Sequence, residues 1–300
     1  MRCIEIPELN KKLYIPHDLS ECDKIQYMDM CELIFRFQAG ELSYFDLRAQ
    51  AVYKLLNMEQ SKKKLLIVDE EAKWSNVYQL SLLIDSFFED QDGRKVIKQE
   101  YIHNPVPSFM PLWKTYYGPA DSFMNVTFGE YRDGLRLFLD FSVTGNTNLL
   151  YILAAIFYRP KKKFHYFKKG LPGYDGDIRE PYNSKTVDTR AEGLKYAPVG
   201  FVYGFFLFFA SFQKYLSTAL IPWGGKELDL SILFTSDGDT RLEAVPGLGM
   251  DSVAFALAES GEFGNMEGVN NANMWEVMVR LYDSKKKDLD YKLNDKTKTK

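Results

Sequence analysis

Residues 125–131 read Asn-Val-Thr-Phe-Gly-Glu-Tyr, and residues 157–160 read Phe-Tyr-Arg-Pro. What lies between these two marks decides the fold. Thr127 and Glu130 have the Thr-x-x-Glu spacing of a capping box, in which each side chain satisfies an N–H at a helix start. Behind them Tyr131, Leu135, Phe138, Leu139 and Ser142 recur at spacings of three and four, one stripe of a helix. Thr144-Gly145-Asn146-Thr147-Asn148 is a turn by composition. A second helix is predicted over residues 149–158, apolar around most of its circumference and therefore buried. Pro160 stops it, since the residue before a proline avoids helical angles. The short connection favours an antiparallel helical hairpin.

Working outward, residues 3–6 and 12–15 read as short extended pieces. Residues 21–37 and 43–57 read as helices, the second capped by Ser43. Residues 65–68 fit a strand or the start of a helix. Residues 74–88 are helical by spacing, 89–93 form an acidic turn, and 96–102 fit a short strand. Three prolines between residues 104 and 111 mark a boundary. Residues 185–192 are expected to open a long aromatic helix. Residues 227–234 fit strand or helix equally. Residues 235–249 are rich in turn formers, and helices are expected over 250–259 and 271–282. The expected class is mainly α, built of helical hairpins with a minor strand content. Its parts are a strand-plus-helices module (1–104), a helical core domain (105–282) and a disordered charged tail (283–300). That tail holds seven lysines and four aspartates and little to bury.

The chain has 300 residues, 15% of them aromatic, and a net charge of −3. Length and apolar content allow a sizeable core. Near neutrality gives no whole-chain electrostatic case for nucleic acid. Cys3, Cys22 and Cys31 cannot all pair, which suits a reducing compartment. Residues 1–7 lack the apolar run of a signal peptide. The expected compartment is the cytoplasm.

Residues 196–213 carry no charge and include Phe201, Phe205, Phe208, Phe209 and Phe212. A spanning helix needs about 20 apolar residues. This run is shorter, and Pro198, Gly200 and Gly204 interrupt it, so a buried core helix is preferred and no membrane is expected. The same phenylalanines are candidate anchors for a partner helix.

Lys161, Lys162, Lys163, Lys168 and Lys169 are interleaved with Phe164, His165, Tyr166 and Phe167. Cations neutralise phosphates and rings stack on bases, so this is a candidate nucleic-acid contact. The competing reading is a solvated loop whose aromatic residues pack on the hairpin. His17, His103 and His165 have no second ligand at metal spacing, and no metal or cofactor is expected. Asp237-Gly238-Asp239 lacks the remaining ligands of a calcium loop. Asp188, Arg190 and Glu192 stand before the aromatic helix, where acids suit its dipole. No phosphate-binding glycine loop or Gly-x-Ser-x-Gly elbow occurs. The rival reading is a hydrolase using the acidic residues near Asp175, Asp177 and Asp188. The expected answer is not an enzyme, with no catalytic residues.

One resemblance bears on function. Gly118, Pro119, Asp121, Asn125, Thr127, Phe128, Glu130, Tyr131, Tyr158, Arg159 and Pro160 follow a pattern similar to that of tail-region proteins of tailed phages and prophages of Bacteroidetes. The likeness continues at Asp188-Thr189-Arg190-Ala191-Glu192 and covers roughly residues 117–282. It implies a tail assembly chaperone or virion component. Such a protein is expected to bind apolar helices of a tape-measure or tail-tube protein in the bacterial host's cytoplasm, and a homo-oligomer is a further expectation. It carries no catalytic residues.

Overall fold

A computed structural model describes residues 1–6, 10–58, 70–172, 174, 176–234 and 249–298. β1 (Arg2–Ile6) and β2 (Lys11–Ile15) form an antiparallel hairpin. α1 (Lys24–Gln38), α2 (Tyr44–Leu55) and α3 (Glu70–Ser81) follow, then a 3-10 turn (Leu82–Phe87) and the hairpin of β3 (Phe88–Gln91) and β4 (Arg94–Ile97). β5 (Ser108–Phe109) and β6 (Tyr116–Tyr117) precede α4 (Phe128–Thr144) and α5 (Asn148–Phe157). β7 (Arg159–Pro160) adds to β6, giving a three-stranded antiparallel sheet in the order β5-β6-β7. The chain continues through α6 (His165–Lys168), α7 (Val187–Leu194), α8 (Val199–Thr218) and the hairpin of β8 (Leu220–Trp223) and β9 (Lys226–Asp229). It ends with α9 (Met250–Ser260), α10 (Met266–Asn271) and α11 (Met274–Lys298). The protein is mainly α, 58% helical, with a few short strands in small sheets.

Several elements differ from the sequence expectation. Residues 187–218 form two helices rather than one, because the chain breaks around Pro198. Residues 227–234 resolve into β9 and a 3-10 turn, Leu230–Leu233. The tail expected to be disordered continues α11 to Lys298. Its start is anchored by buried Met274, Trp275, Val277 and Met278. Beyond them, Asp283 pairs with Arg280 at 2.9 Å and with Lys287 at 2.6 Å, contacts of the i,i+3 and i,i+4 type. Such pairs stabilise a helix by about 0.2–0.5 kcal/mol each. Residues 65–68 and 237–239 lie outside the described residues.

The chain forms two compact units, Met1–Val106 with Lys195–Ser211, and Pro107–Leu194 with Phe212–Lys300. The division therefore falls within α8, and Lys195–Ser211 belongs with the N-terminal module rather than with the later residues. In the first unit Asp23 caps α1 by accepting from the N–H groups of Ile25 and Gln26, while Gln26 accepts from the Asp23 N–H in return. α1 buries Tyr27, Met30, Cys31, Leu33 and Ile34; α2 buries Leu47, Ala51, Val52 and Leu55. Gly204 lets α8 come close to α1, since a Cβ there would lie 2.8 Å from the Tyr27 ring. The Tyr27 hydroxyl donates to the Gly204 carbonyl at 2.7 Å, and lies 2.7 Å from the Tyr101 hydroxyl. Ser211 Oγ accepts from the Tyr101 N–H and donates to the Tyr101 carbonyl.

In the second unit α4 and α5 form the expected hairpin, with Gly145 closing α4 in a left-handed conformation. Their contact is close at Gly134, where a Cβ would sit 2.5 Å from the Phe157 ring. Phe157 also meets Phe123 edge-on, and Phe123 stacks on Phe212 at 4.4 Å between centroids. The start of α4 is tied to the α10–α11 junction. The Phe128 N–H donates to the Ala272 carbonyl at 2.9 Å, and the Met274 N–H to the Val126 carbonyl at 3.0 Å. Phe128 then fills a small core with Ala254, Leu257, Val269 and Val277.

Candidate functional site

Where α4 begins and α5 ends, the second unit buries a cluster of charge. Thr127 Oγ1 accepts from the Glu130 N–H at 3.3 Å, one half of the expected capping box. The other half is absent. The Glu130 carboxylate instead turns inward, with Oε2 2.7 Å from Nη1 of Arg159 and 3.4 Å from Nη1 of Arg179. Asp177 completes the set. Its Oδ1 and Oδ2 both accept from Arg179 Nε at 3.0 Å, and Oδ2 lies 3.5 Å from Arg159 Nη2. Glu130, Arg159 and Arg179 are almost completely buried. Burial pulls the Arg159 guanidinium below the usual arginine value; Glu130 opposes that pull, and the nearby Arg179 adds to it.

Three further contacts of these guanidinium groups go to the main chain, whereas Arg159 Nε is buried without a hydrogen-bond partner. Arg159 Nη1 donates to the Ile156 carbonyl, Arg179 Nη1 to that of Phe157, and Arg179 Nη2 to that of Asn125 at 2.6 Å. Two of these carbonyls belong to the last turn of α5, which has no intrahelical partners of its own. Alongside, Tyr182 donates to Asp133 Oδ2 at 2.6 Å, and Arg132 pairs with Asp133 Oδ1 at 3.1 Å. Burial, then the hydrogen bond to Asp133, pushes the Tyr182 phenol up. Arg190, on α7, donates through Nε to the Ala155 carbonyl at 2.9 Å and through Nη1 to Thr186 Oγ1. The arrangement clamps the hairpin to residues 177–190. Each described carboxylate in it faces a guanidinium or a phenol.

A cleft of about 520 Å³ opens beside the cluster, lined in part by Asn125, Thr127, Arg159, Lys162, Tyr182 and Asn273. A second, of about 490 Å³, shares Lys162 and Tyr182 with it and adds Lys163, Asn183, Thr186 and Arg190.

The residues singled out by sequence are distributed as follows. Phe201, Phe205, Phe208, Phe209 and Phe212 are all buried, so they are core and offer a partner no surface. Their rings are consumed within the fold: Phe208 stacks on Tyr101, Phe205 meets Phe208 and Phe209, and Phe212 meets Phe123 and Trp275. α8 is nonetheless long and apolar enough to cross a membrane by length and composition, with 67% of its most apolar window buried. Asp177 lies in the charge cluster, Asp188 is exposed on α7, and Asp175 lies outside the described residues. Among the described residues no three His, Cys, Asp or Glu side chains are placed to share a metal ion. Sequence reading took Glu130 as a cap and missed the cluster. The available signal was Arg159, placed directly after the apolar run of α5 and before Pro160.

The lysine-rich segment leaves the sheet directly after β7. The Lys162 N–H donates to the Ile178 carbonyl, and Lys161 bridges Arg179. Lys161 Nζ stands 3.7 Å over the Tyr166 ring, and Lys162 Nζ 5.5 Å over that of Tyr174. Lys163 and Lys169 are exposed, while Lys168 lies in the α6 turn. His165 is buried, its Nδ1 3.1 Å from the Tyr174 hydroxyl. Phe164, Tyr166 and Phe167 are exposed, so these rings do not pack onto the hairpin. No protein-family model, curated protein or solved structure matches the chain.

Proposed function

We propose that this protein is a non-enzymatic component of a phage tail region, an assembly chaperone or virion subunit acting in the bacterial host's cytoplasm. On this reading it binds apolar helical segments of a partner such as a tape-measure or tail-tube protein. The observation that carries the reading is an uncovered stripe on α4. Leu135, Leu139 and Val143 follow one another at i, i+4 and i+8, and Leu139 is 53% exposed and Val143 86% exposed. A shallow cleft of about 200 Å³ runs beside the stripe, with Leu135, Leu139 and Met250 in its wall and Arg132, Arg136 and Asp251 around it. An amphipathic helix laid in a groove needs such apolar anchors with a polar rim. The engagement of the buried carboxylates with guanidinium groups supports a binding role over turnover. The sequence resemblance supplies the phage context.

The test is affinity capture by the full chain from infected or prophage-induced cells. Tape-measure or tail-tube protein should be recovered by the native chain and lost with Leu139→Glu plus Val143→Glu. These positions are exposed, so the variant should keep its fold. Recovery of nucleic acid alone, or capture indifferent to the stripe, would rule the reading out.

A further inference from the structure

We infer that the end of the β5-β6-β7 sheet from which residues 110–115 and 161–171 project is a docking surface for an anionic lipid bilayer. The inference stands apart from the tail-assembly reading and uses different residues.

The sheet register brings the two segments together. Tyr116 pairs with Pro160 and Tyr117 with Arg159 in antiparallel sense. Residues before Tyr116 and residues after Pro160 therefore leave the sheet at the same end. The first set is the tip of the β5–β6 hairpin, carrying Met110, Leu112, Trp113 and Lys114. The second carries Lys161, Lys162, Lys163, Phe164, Tyr166, Phe167, Lys169 and Leu171. Trp113 is 96% exposed and Phe167 80% exposed, and Met110, Leu112, Phe164, Tyr166 and Leu171 are each more than half exposed. A fold that buries five of the six phenylalanines of α8 has left these side chains in water.

Charge and side-chain type together select the occupant. Lysines 114, 161, 162, 163 and 169 gather at this end of a chain whose net charge is −3. Glu180 lies in the cleft with Lys162 and Lys163 and leaves the surface cationic. Local positive charge around apolar side chains complements an anionic headgroup layer. Trp and Tyr favour the interface, with an apolar ring and a polar edge, while Leu, Met and Phe reach the acyl boundary. Single-stranded nucleic acid would use the rings and lysines, but it has no use for Met110, Leu112 and Leu171. A hairpin tip and a turn, rather than a long helix, indicate a protein that lies on the bilayer at this end. This departs from the expectation that the chain has no membrane partner.

The test is flotation of the full chain with phosphatidylcholine vesicles, with and without phosphatidylglycerol, beside a single-stranded oligonucleotide titration. Binding is expected only to the phosphatidylglycerol vesicles, weakening as salt rises. Lys161→Gln or Lys163→Gln should each weaken it about fivefold. Trp113→Ala with Phe167→Ser should abolish it while circular dichroism stays unchanged. Tryptophan emission should shift to the blue on vesicles, and should not in Trp113→Ala. Absence of flotation, flotation indifferent to these substitutions, or oligonucleotide binding through the same residues without vesicle binding would each overturn the inference.

Discussion

Nη1 of Arg159 lies 2.7 Å from Oε2 of Glu130, and both side chains are buried. The carboxylate sits in the first turn of α4, where the helix dipole favours negative charge. The guanidinium follows the last turn of α5 and also serves the Ile156 carbonyl there. One ion pair thus joins the two ends of the hairpin that are remote from its turn.

Removing one partner of a buried pair leaves the other charge uncompensated, which costs about 3–5 kcal/mol. Glu130→Ala should therefore destabilise the protein by that amount in urea unfolding. Thr127→Ala removes the cap and one long hydroxyl contact to the Glu130 carboxylate but leaves both charges in place, and should cost about 1 kcal/mol. If the two variants proved equal, Glu130 would be a capping residue and no more.

Gly134→Ala places a methyl group against the Phe157 ring, at 2.5 Å before relaxation. Overpacking of this kind costs about 1–3 kcal/mol. Phe157→Leu in the same chain should recover part of the loss, because the two sites are in contact and their effects do not add. A strictly additive double variant would show that the helices approach elsewhere.

His165 should titrate below the ordinary histidine value of about 6.5. Burial disfavours its charged form, and Lys161, Lys169 and Lys162 add repulsion. The folded pKa is depressed, so protonation favours the unfolded chain. The contribution to stability is complete above about pH 6.5. It declines as pH falls through that value, and the decline ends at the lower, folded pKa. Lys161→Met with Lys169→Met should move the NMR titration of His165 upward. An unmoved titration would mean that the lysines do not face the ring.

The three thiols should differ in reactivity. Cys3 is exposed, whereas burial pushes the Cys31 thiol well up. Burial does the same to Cys22, reinforced by Asp18, Asp23 and Glu21. A thiol reagent attacks the thiolate. Labelling of the native protein should thus modify Cys3 rapidly and the other two only on unfolding. Rapid labelling of a second cysteine would contradict this packing.

Local signals carried much of the architecture. The α4–α5 hairpin, the capping role of Ser43 and the extended pieces at residues 3–6 and 12–15 were legible because spacing and turn residues act over a few positions, whereas the pairing of those two pieces was not. Charge pairing at i,i+4 in α11 was also written in the sequence, but composition alone suggested disorder. The break before α8 was marked by Pro198 and overridden by the long apolar run that follows it.

The candidate surfaces divide along the same line. Sequence alone established a helical chain, its hairpin and the mixed lysine–aromatic character of residues 161–169. Only the tertiary structure decided that five of the six phenylalanines of α8 are interior, that Glu130 at its cap also meets two arginines, and that Trp113 shares a sheet end with Phe167. The reason is range. Helix periodicity and capping are set by neighbours a turn away, whereas burial and ion pairing depend on residues such as Tyr101 for Phe208, and Arg159 and Arg179 for Glu130, which folding alone brings within reach.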